Sequence, residues 1–170
     1  MQGLPDRIVI NTGPIIALAC GLDDLGAVLD GYRGVIVPFA VRQEIQAGGA
    51  TLPGMAVLEY GDPISLQTRD PDIRSDLAAS LDPGEAAVIQ TSIGLKIPWV
   101  CIDEIIGRRV ARLNSLHVTG SLGLIIRAVL RGAEIDIERS IGRMKDHGIW
   151  VSADLESQAI RLARRLDTRS

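Results

Sequence analysis

Three short apolar runs without polar alternation, Ile8-Val9-Ile10, Val35-Ile36-Val37 and Trp99-Val100-Cys101-Ile102, each lead within a residue or two into a helix start. An antiparallel sheet with one wet face would alternate apolar and polar residues. Unbroken apolar strands mean that both faces are covered, the condition of a parallel sheet between helices. The intervening segments carry helix punctuation. Asn11-Thr12-Gly13-Pro14 reads as turn and helix start before the apolar Ile15 to Cys20, and Pro38 opens a helix that Gly48-Gly49 ends. Asp82-Pro83-Gly84-Glu85 opens another, running to about Leu95, and Asp103 to Asn114 reads as a fourth. His117-Val118-Thr119 is a short strand before an apolar helix, Ser121 to Arg131, which Gly132 closes. Two amphipathic helices follow, with stripes Ile137/Ile141/Met144 and Leu155/Ala159/Leu162/Leu166. Strands near 7–10, 35–37, 99–102 and 117–119 thus predict an α/β fold, a three-layer α/β/α sandwich on a parallel sheet. Gly61 to Asp76, with turn signals Asp62-Pro63 and Asp70-Pro71, is expected to be a connecting loop within one domain.

Composition narrows the function classes. The 170 residues are 46% hydrophobic and 23% charged, enough apolar chain for one substantial core. Eighteen Lys+Arg against 21 Asp+Glu leave a net charge of −3, so any nucleic-acid contact must be local rather than the work of a global cationic field. Cys20 and Cys101 each lie in an apolar run without metal-ligand spacing and read as reduced core residues of a cytoplasmic protein. No apolar run approaches the roughly 18 residues of a membrane span, and the N-terminal MQGLPDRIVIN is not a signal sequence, so neither secretion nor membrane insertion is expected.

Polar residues stand where the core should be. The first strand ends on Asn11 and the third apolar run on Asp103, both at the carboxyl edge where parallel sheets bind ligands; taken singly, each also reads as a helix cap. Glu44 lies at i+3 from Val41, on the stripe with Ile45 and Gly48, so it is expected to point toward the sheet. Its alternatives are snorkelling to water or pairing with Arg42, Arg33 or Arg7. Glu85 shares a stripe with Val88, Ile89 and Ile93, and also fits a capping box with Asp82. Buried carboxylates need a donor or a cation, and clustered ones repel unless a cation joins them. Asn11, Glu44, Glu85 and Asp103 at one sheet edge, with no histidine or cysteine nearby, point to Mg²⁺ or Mn²⁺ rather than zinc. His117 reads as a strand residue and His147 as a helix-end cation. Arg108, Arg109 and Arg112, on the helix after Asp103, are candidates for phosphate contact or simply a solvated face. With only Trp99, Trp150, Tyr32, Tyr60 and Phe39 as aromatics, extensive base stacking is not expected.

Five segments in order carry a resemblance: Val9-Ile10-Asn11-Thr12-Gly13-Pro14, Val37-Pro38 leading to Glu44-Ile45, Gly84-Glu85-Ala86, Ile102-Asp103-Glu104 leading to Arg108-Arg109-Val110-Ala111, and Thr119-Gly120-Ser121-Leu122-Gly123. Over residues 7 to about 132 the chain resembles the PIN domain, in particular the short single-domain proteins of toxin–antitoxin pairs. The resemblance implies a Rossmann-like, flap-nuclease-like core over 1–132, with the helices of 133–170 packed on it, and metal-dependent cleavage of RNA. It places Asn11, Glu44, Glu85 and Asp103 on the acidic quartet, with Thr12, Glu104, Thr119 and Ser121 as supporting polar groups. It also implies a small antitoxin partner covering the cleft. The first quartet position is ordinarily aspartate; Asn11 leaves three formal charges instead of four, which lowers metal affinity and opens a second reading, a PIN-fold module that holds RNA or a partner without turnover. A Rossmann nucleotide-binding domain is a third, disfavoured because neither GxGxxG nor GxxxxGK[ST] follows the first strand. Homodimerisation is expected through Ile15, Ile16, Leu18, Leu22, Leu25, Val28 and Leu29, whose apolar surface exceeds what one sheet face covers.

Overall fold

A computed structural model describes residues 6–167. Its five strands are β1 (Arg7–Ile10), β2 (Gly34–Val37), β3 (Ile64–Leu66), β4 (Trp99–Cys101) and β5 (His117–Thr119). They form one parallel sheet in the order β3-β2-β1-β4-β5. The four expected strands are there, and β3 is a fifth inside the stretch expected to be loop. It escapes a sequence reading because Ile64-Ser65-Leu66 is three residues long and half-buried at the sheet edge, so no apolar run marks it. Further along the same stretch, Ser75 begins the helix α5 (Ser75–Ser80), numbered in chain order with those below.

Central β1 is buried along Ile8, Val9 and Ile10 because it pairs on both sides, Val9 with Ile36 of β2 and with Val100 of β4. Helix α1 (Thr12–Gly21) and the short α2 (Gly26–Leu29) connect β1 to β2, while α3 (Phe39–Ala47) and α4 (Met55–Leu58) connect β2 to β3. The chain then returns across the sheet through α6 (Pro83–Leu95) to β4, and α7 (Ile105–Leu113) leads on to β5. The β1-to-β2 and β4-to-β5 connections run in opposite directions, so right-handed crossovers put α1 and α7 on opposite faces, completing three layers. Helices α8 (Ser121–Leu130), α9 (Ile137–Asp146) and α10 (Ala153–Asp167) close the chain.

The C-terminal helices pack on this core. α9 lies against α1, and α10 against α8 and α9. Ile137, Ile141 and Met144 are buried as their spacing requires, Met144 reaching the space beside Gly21. Of the second stripe Ala159 is buried and Leu162 half-buried, but Leu155, in the first turn of α10, is 43% exposed; the side chain of Leu166 lies outside the described residues. This docking overturns the surface on which the N-terminal helices were expected to dimerise: Ile15, Leu18, Leu22, Val28 and Leu29 are buried and Ile16 and Leu25 half-buried within one chain. No helix among the described residues is long and apolar enough to cross a membrane. Cys20 and Cys101 are free and buried, His117 lies in β5 beside the ring of Trp99, and His147 ends α9.

Candidate active site

The topological switch of the sheet lies between β1 and β4, whose outgoing connections leave on opposite faces; in parallel sheets this is where the ligand crevice forms, at the carboxyl ends of the strands. Asn11 follows β1, its N–H donating to the Cys101 carbonyl at 3.0 Å, and Asp103 and Glu104 follow β4. Neither Asn11 nor Asp103 caps its own helix. Asn11 holds the N-cap position of α1 without a side-chain cap bond, and the N-cap of α7 is Glu104, also without one. Asp103 instead reaches across to α8, where its Oδ1 accepts the Ser121 N–H at 2.8 Å.

Four carboxylates line the crevice, each seated in the first turn of a helix from a different segment, and a glycine makes room for each. A methyl on Gly13 of α1 would stand 2.7 Å from Glu104 Oε1, and one on Gly84 of α6 would stand 2.7 Å from Glu44 Oε1. A methyl on Gly107 of α7 would collide with Glu85 Oε1, and one on Gly120, the N-cap of α8, would stand 2.5 Å from Asp103 Oδ1. Helix N-termini carry unpaired N–H groups and partial positive charge, so this seating is how neighbouring acids coexist. The seating is not complete compensation. Glu85, 5% exposed, has its pKa raised by desolvation and by the charges of Asp82 and Glu104, against the backbone N–H groups of Asp82 and Gly107 that lower it. Asp103 is open to solvent on one side, but its inner oxygen is wedged between Gly120 and Ser121. Desolvation raises its pKa, with Glu104 adding repulsion, while the Ser121 N–H and hydroxyl and the Arg108 guanidinium oppose the rise.

The expected residues are distributed unevenly. Glu85 is on the core side and also in its capping box, Asp82 Oδ1 accepting the Glu85 N–H at 2.8 Å. Glu44 departs from expectation: Val41 and Ile45 are buried, but Glu44 and Gly48 are exposed, so Glu44 flanks the inward stripe rather than sharing it. It still turns to the crevice, accepting the Thr12 hydroxyl at 2.5 Å, and among the described residues it forms no ion pair with Arg7, Arg33 or Arg42. Glu104 is more central than a supporting role implies, standing beside Asn11, Asp103 and Glu85. Ser121 holds Asp103, whereas the buried Thr119 gives its hydroxyl to the Gly120 carbonyl at 3.3 Å. Arg108 is half-buried and donates to the Ile102 carbonyl at 2.8 Å, beside Asp103; Arg109 and Arg112 face outward. Sequence adjacency marks only two of the four glycines, Gly84 beside Glu85 and Gly120 beside Thr119; Gly13 and Gly107 adjoin no acid, and only the fold brings Glu104 and Glu85 to them.

Asn11 is 3% exposed, its Nδ2 donates to Glu104 Oε2 at a long 3.4 Å, and its Oδ1 has no hydrogen-bond partner. A buried acceptor left unpaired is costly, and this one belongs to a side chain that touches the Glu104 carboxylate; amide and carboxylate oxygens are the hard donors that suit a cation such as Mg²⁺ or Mn²⁺. As the side chains stand, no three His, Cys, Asp or Glu among the described residues form a group that could hold a metal ion. The donor types fit the ion; their present seating points them at helix ends instead.

Comparison with known proteins agrees with this architecture. The PIN domain family matches residues 7–165, running through α9 and into α10. No curated protein and no solved structure gives a significant match. With a parallel five-stranded sheet in three layers and a family match along nearly its whole length, this chain belongs to the PIN domain family.

Proposed function

We propose that the chain is a divalent-metal-dependent endoribonuclease, the toxin of a toxin–antitoxin pair acting in the cytoplasm. The carrying observation is the unpartnered, buried Asn11 Oδ1, on a side chain that touches Glu104 at the switch point of a PIN-family sheet. Asp103, Glu85 and Asn11 are the residues to hold Mg²⁺ or Mn²⁺, with Glu44 and Glu104 as further ligands or as acceptors orienting the attacking water. When bound, such an ion supplies an acidified water and offsets charge on the phosphate. The chain's own groups set the geometry: Thr12 turns Glu44 inward, the Ser121 N–H aims Asp103, and Asn11 contributes a neutral oxygen. Cleavage of a generic single-stranded RNA with Mn²⁺, abolished by chelation and by Asp103→Asn, is the expected result. Absence of both cleavage and Mn²⁺ binding would overturn it.

A specific observation favours the second reading, a PIN-fold module that holds RNA without turnover. Asn11 replaces an anionic ligand, and among the described residues no three carboxylates converge as they stand. RNA binding in chelator, with Mn²⁺ bound but no cleavage, would decide for it. In either reading a small antitoxin is the partner to cover the crevice, by offering a basic side chain to these carboxylates.

A further inference from the structure

Six buried side-chain polar atoms among the described residues have no hydrogen-bond partner, and three of them belong to one cluster: the Tyr32 hydroxyl, Arg127 Nη1 and Arg131 Nη1. The cluster sits at the amino edge of the sheet, opposite the acidic crevice. Tyr32 stands between α2 and β2, and Trp99 and His117 begin β4 and β5. Helix α8 runs back from Gly120 along the sheet, so Arg127 in its last turn and Arg131 at its C-cap arrive at the same edge. Arg127 lies over the Trp99 ring, 4.1 Å from its centroid, and Arg131 over the Tyr32 ring at 5.4 Å. Four residues apart, the two side chains share one face of α8.

Both arginines are half-buried, and neither takes part in an ion pair among the described residues. Cations suit a helix C-terminus and the faces of rings, which accounts for their charge but not for buried N–H groups without an acceptor. Arg131 Nη2 donates to the Val28 carbonyl at 3.3 Å, which anchors the side chain and leaves Nη1 unused. Tyr32 is 5% exposed; burial and the nearby Cys101 raise its pKa, while both guanidiniums stand close enough to oppose the rise. The hydroxyl therefore keeps its proton, as does the buried Cys101 thiol, whose pKa burial pushes well up. Every unpartnered group here is a donor, and two of the three carry positive charge. What they lack is an anionic acceptor, and a forked pair of guanidiniums with a hydroxyl suits the oxygens of a phosphate group. The cluster reaches the surface beside Gly31, which is exposed and whose missing side chain makes room for the Arg131 guanidinium.

We propose that Tyr32, Arg127 and Arg131 form an oxyanion site at the amino edge of the sheet, taking a phosphate group that is either free or carried on a nucleotide. Trp99 also lines an apolar cavity of about 270 Å³ with Ile97 and Pro98, a place for the remainder of a phosphate-bearing ligand. The site is separate from the carboxylates: Arg127 lies about 9 Å along α8 from Ser121, which holds Asp103. It does not rest on the ribonuclease reading.

Melting midpoints of the full chain, measured in chelator at constant ionic strength while chloride is exchanged for inorganic phosphate, test it free of metal and of general screening. The wild-type midpoint should rise with phosphate and give a dissociation constant. Tyr32→Phe removes only the hydroxyl. Without phosphate it should melt no lower than wild type, since the lost group had no partner, and its phosphate constant should rise severalfold. Arg127→Met keeps an unbranched apolar stem against Trp99 and should raise that constant about tenfold; Arg131 is left in place because it also holds the Val28 carbonyl. Adenosine 5′-monophosphate separates the two sources: binding tighter than inorganic phosphate assigns the site to a nucleotide, and equal or weaker binding to free phosphate. A wild-type midpoint that phosphate does not move, or a phosphate constant unchanged in either variant, would overturn the site. So would a loss of stability in Tyr32→Phe without phosphate, which would show the hydroxyl already satisfied. None of these readouts requires metal or RNA cleavage, so they fail separately from the nuclease reading.

Discussion

Asp103, one residue past the end of its strand's apolar run, caps not its own helix but the next one, its Oδ1 accepting the Ser121 N–H at 2.8 Å. The N-cap of α8 is Gly120, which has no side chain to do this, and a methyl there would stand 2.5 Å from the Asp103 oxygen. Cap and crevice are thus one contact, and disturbing it affects stability and the site together.

Gly120→Ala tests that coupling. The Gly120 backbone, at φ −120°, accepts alanine without strain, so the effect comes from displacing Asp103 and crowding the Arg108 guanidinium beside it. Losing the cap costs about 1 kcal/mol or somewhat more, a fall of several degrees in melting midpoint for a domain of this size. Mn²⁺ binding should weaken in the same variant. Calorimetric melting with and without Mn²⁺ measures both.

Asn11→Asp should destabilise the metal-free protein, because a buried carboxylate would replace an amide whose Nδ2 donates to Glu104 and would face Glu104 without a donor. Mn²⁺ should reverse the loss and bind more tightly than to the wild-type chain. Thermal midpoints of both proteins, in chelator and in Mn²⁺, check this; an equal metal response in the two would remove Asn11 from the ligand set.

The raised pKa values of Glu85 and Asp103 imply a pH dependence with a definite sign. A carboxyl group that holds its proton more tightly folded than unfolded stabilises at low pH, and that stability is lost as pH rises through its native pKa. In chelator the protein should therefore gain stability as pH falls from neutral, the contribution of these two groups being complete below their ordinary values of 4.5 and 3.8. Asp76, whose pKa Arg74 lowers, works the other way, but it is a solvent-screened surface pair. Urea midpoints across this range should flatten in Glu85→Gln.

Ile141→Ala should cost about 2–5 kcal/mol, the usual loss for truncating a large core side chain, because Ile141 is buried where α9 packs on α1. A loss seen in a single cooperative urea transition would make the C-terminal helices integral to the core; a separate early transition would make them an independent unit.

The parallel sheet was legible because unbroken apolar strands and their helix starts are local signals, and strands β1, β2, β4 and β5 are where the pattern puts them. Glu85 was legible too, since helical spacing and the Asp82-Pro83 start both fix its side of α6. Glu44 was not: spacing near a stripe's edge does not tell inward from flanking, and only the Thr12 hydroxyl and the gap above Gly84 turn it to the crevice. β3 was missed because an edge strand owes its form to the register with Val35, Ile36 and Val37 rather than to its own residues.

Sequence alone determined the layers of this protein, the family resemblance and the residue types at the crevice, because periodicity, capping and strand ends act over a few residues. Tertiary structure decided what those residues meet. It set Glu104 against Gly13 and Asp103 at the foot of α8, left Asn11 Oδ1 without a partner, buried the α1 surface under α9 and left Ile105 and Ile106 of α7 exposed. Each of these follows from which distant segments strand order and crossover direction bring together or keep apart, on which no local pattern bears.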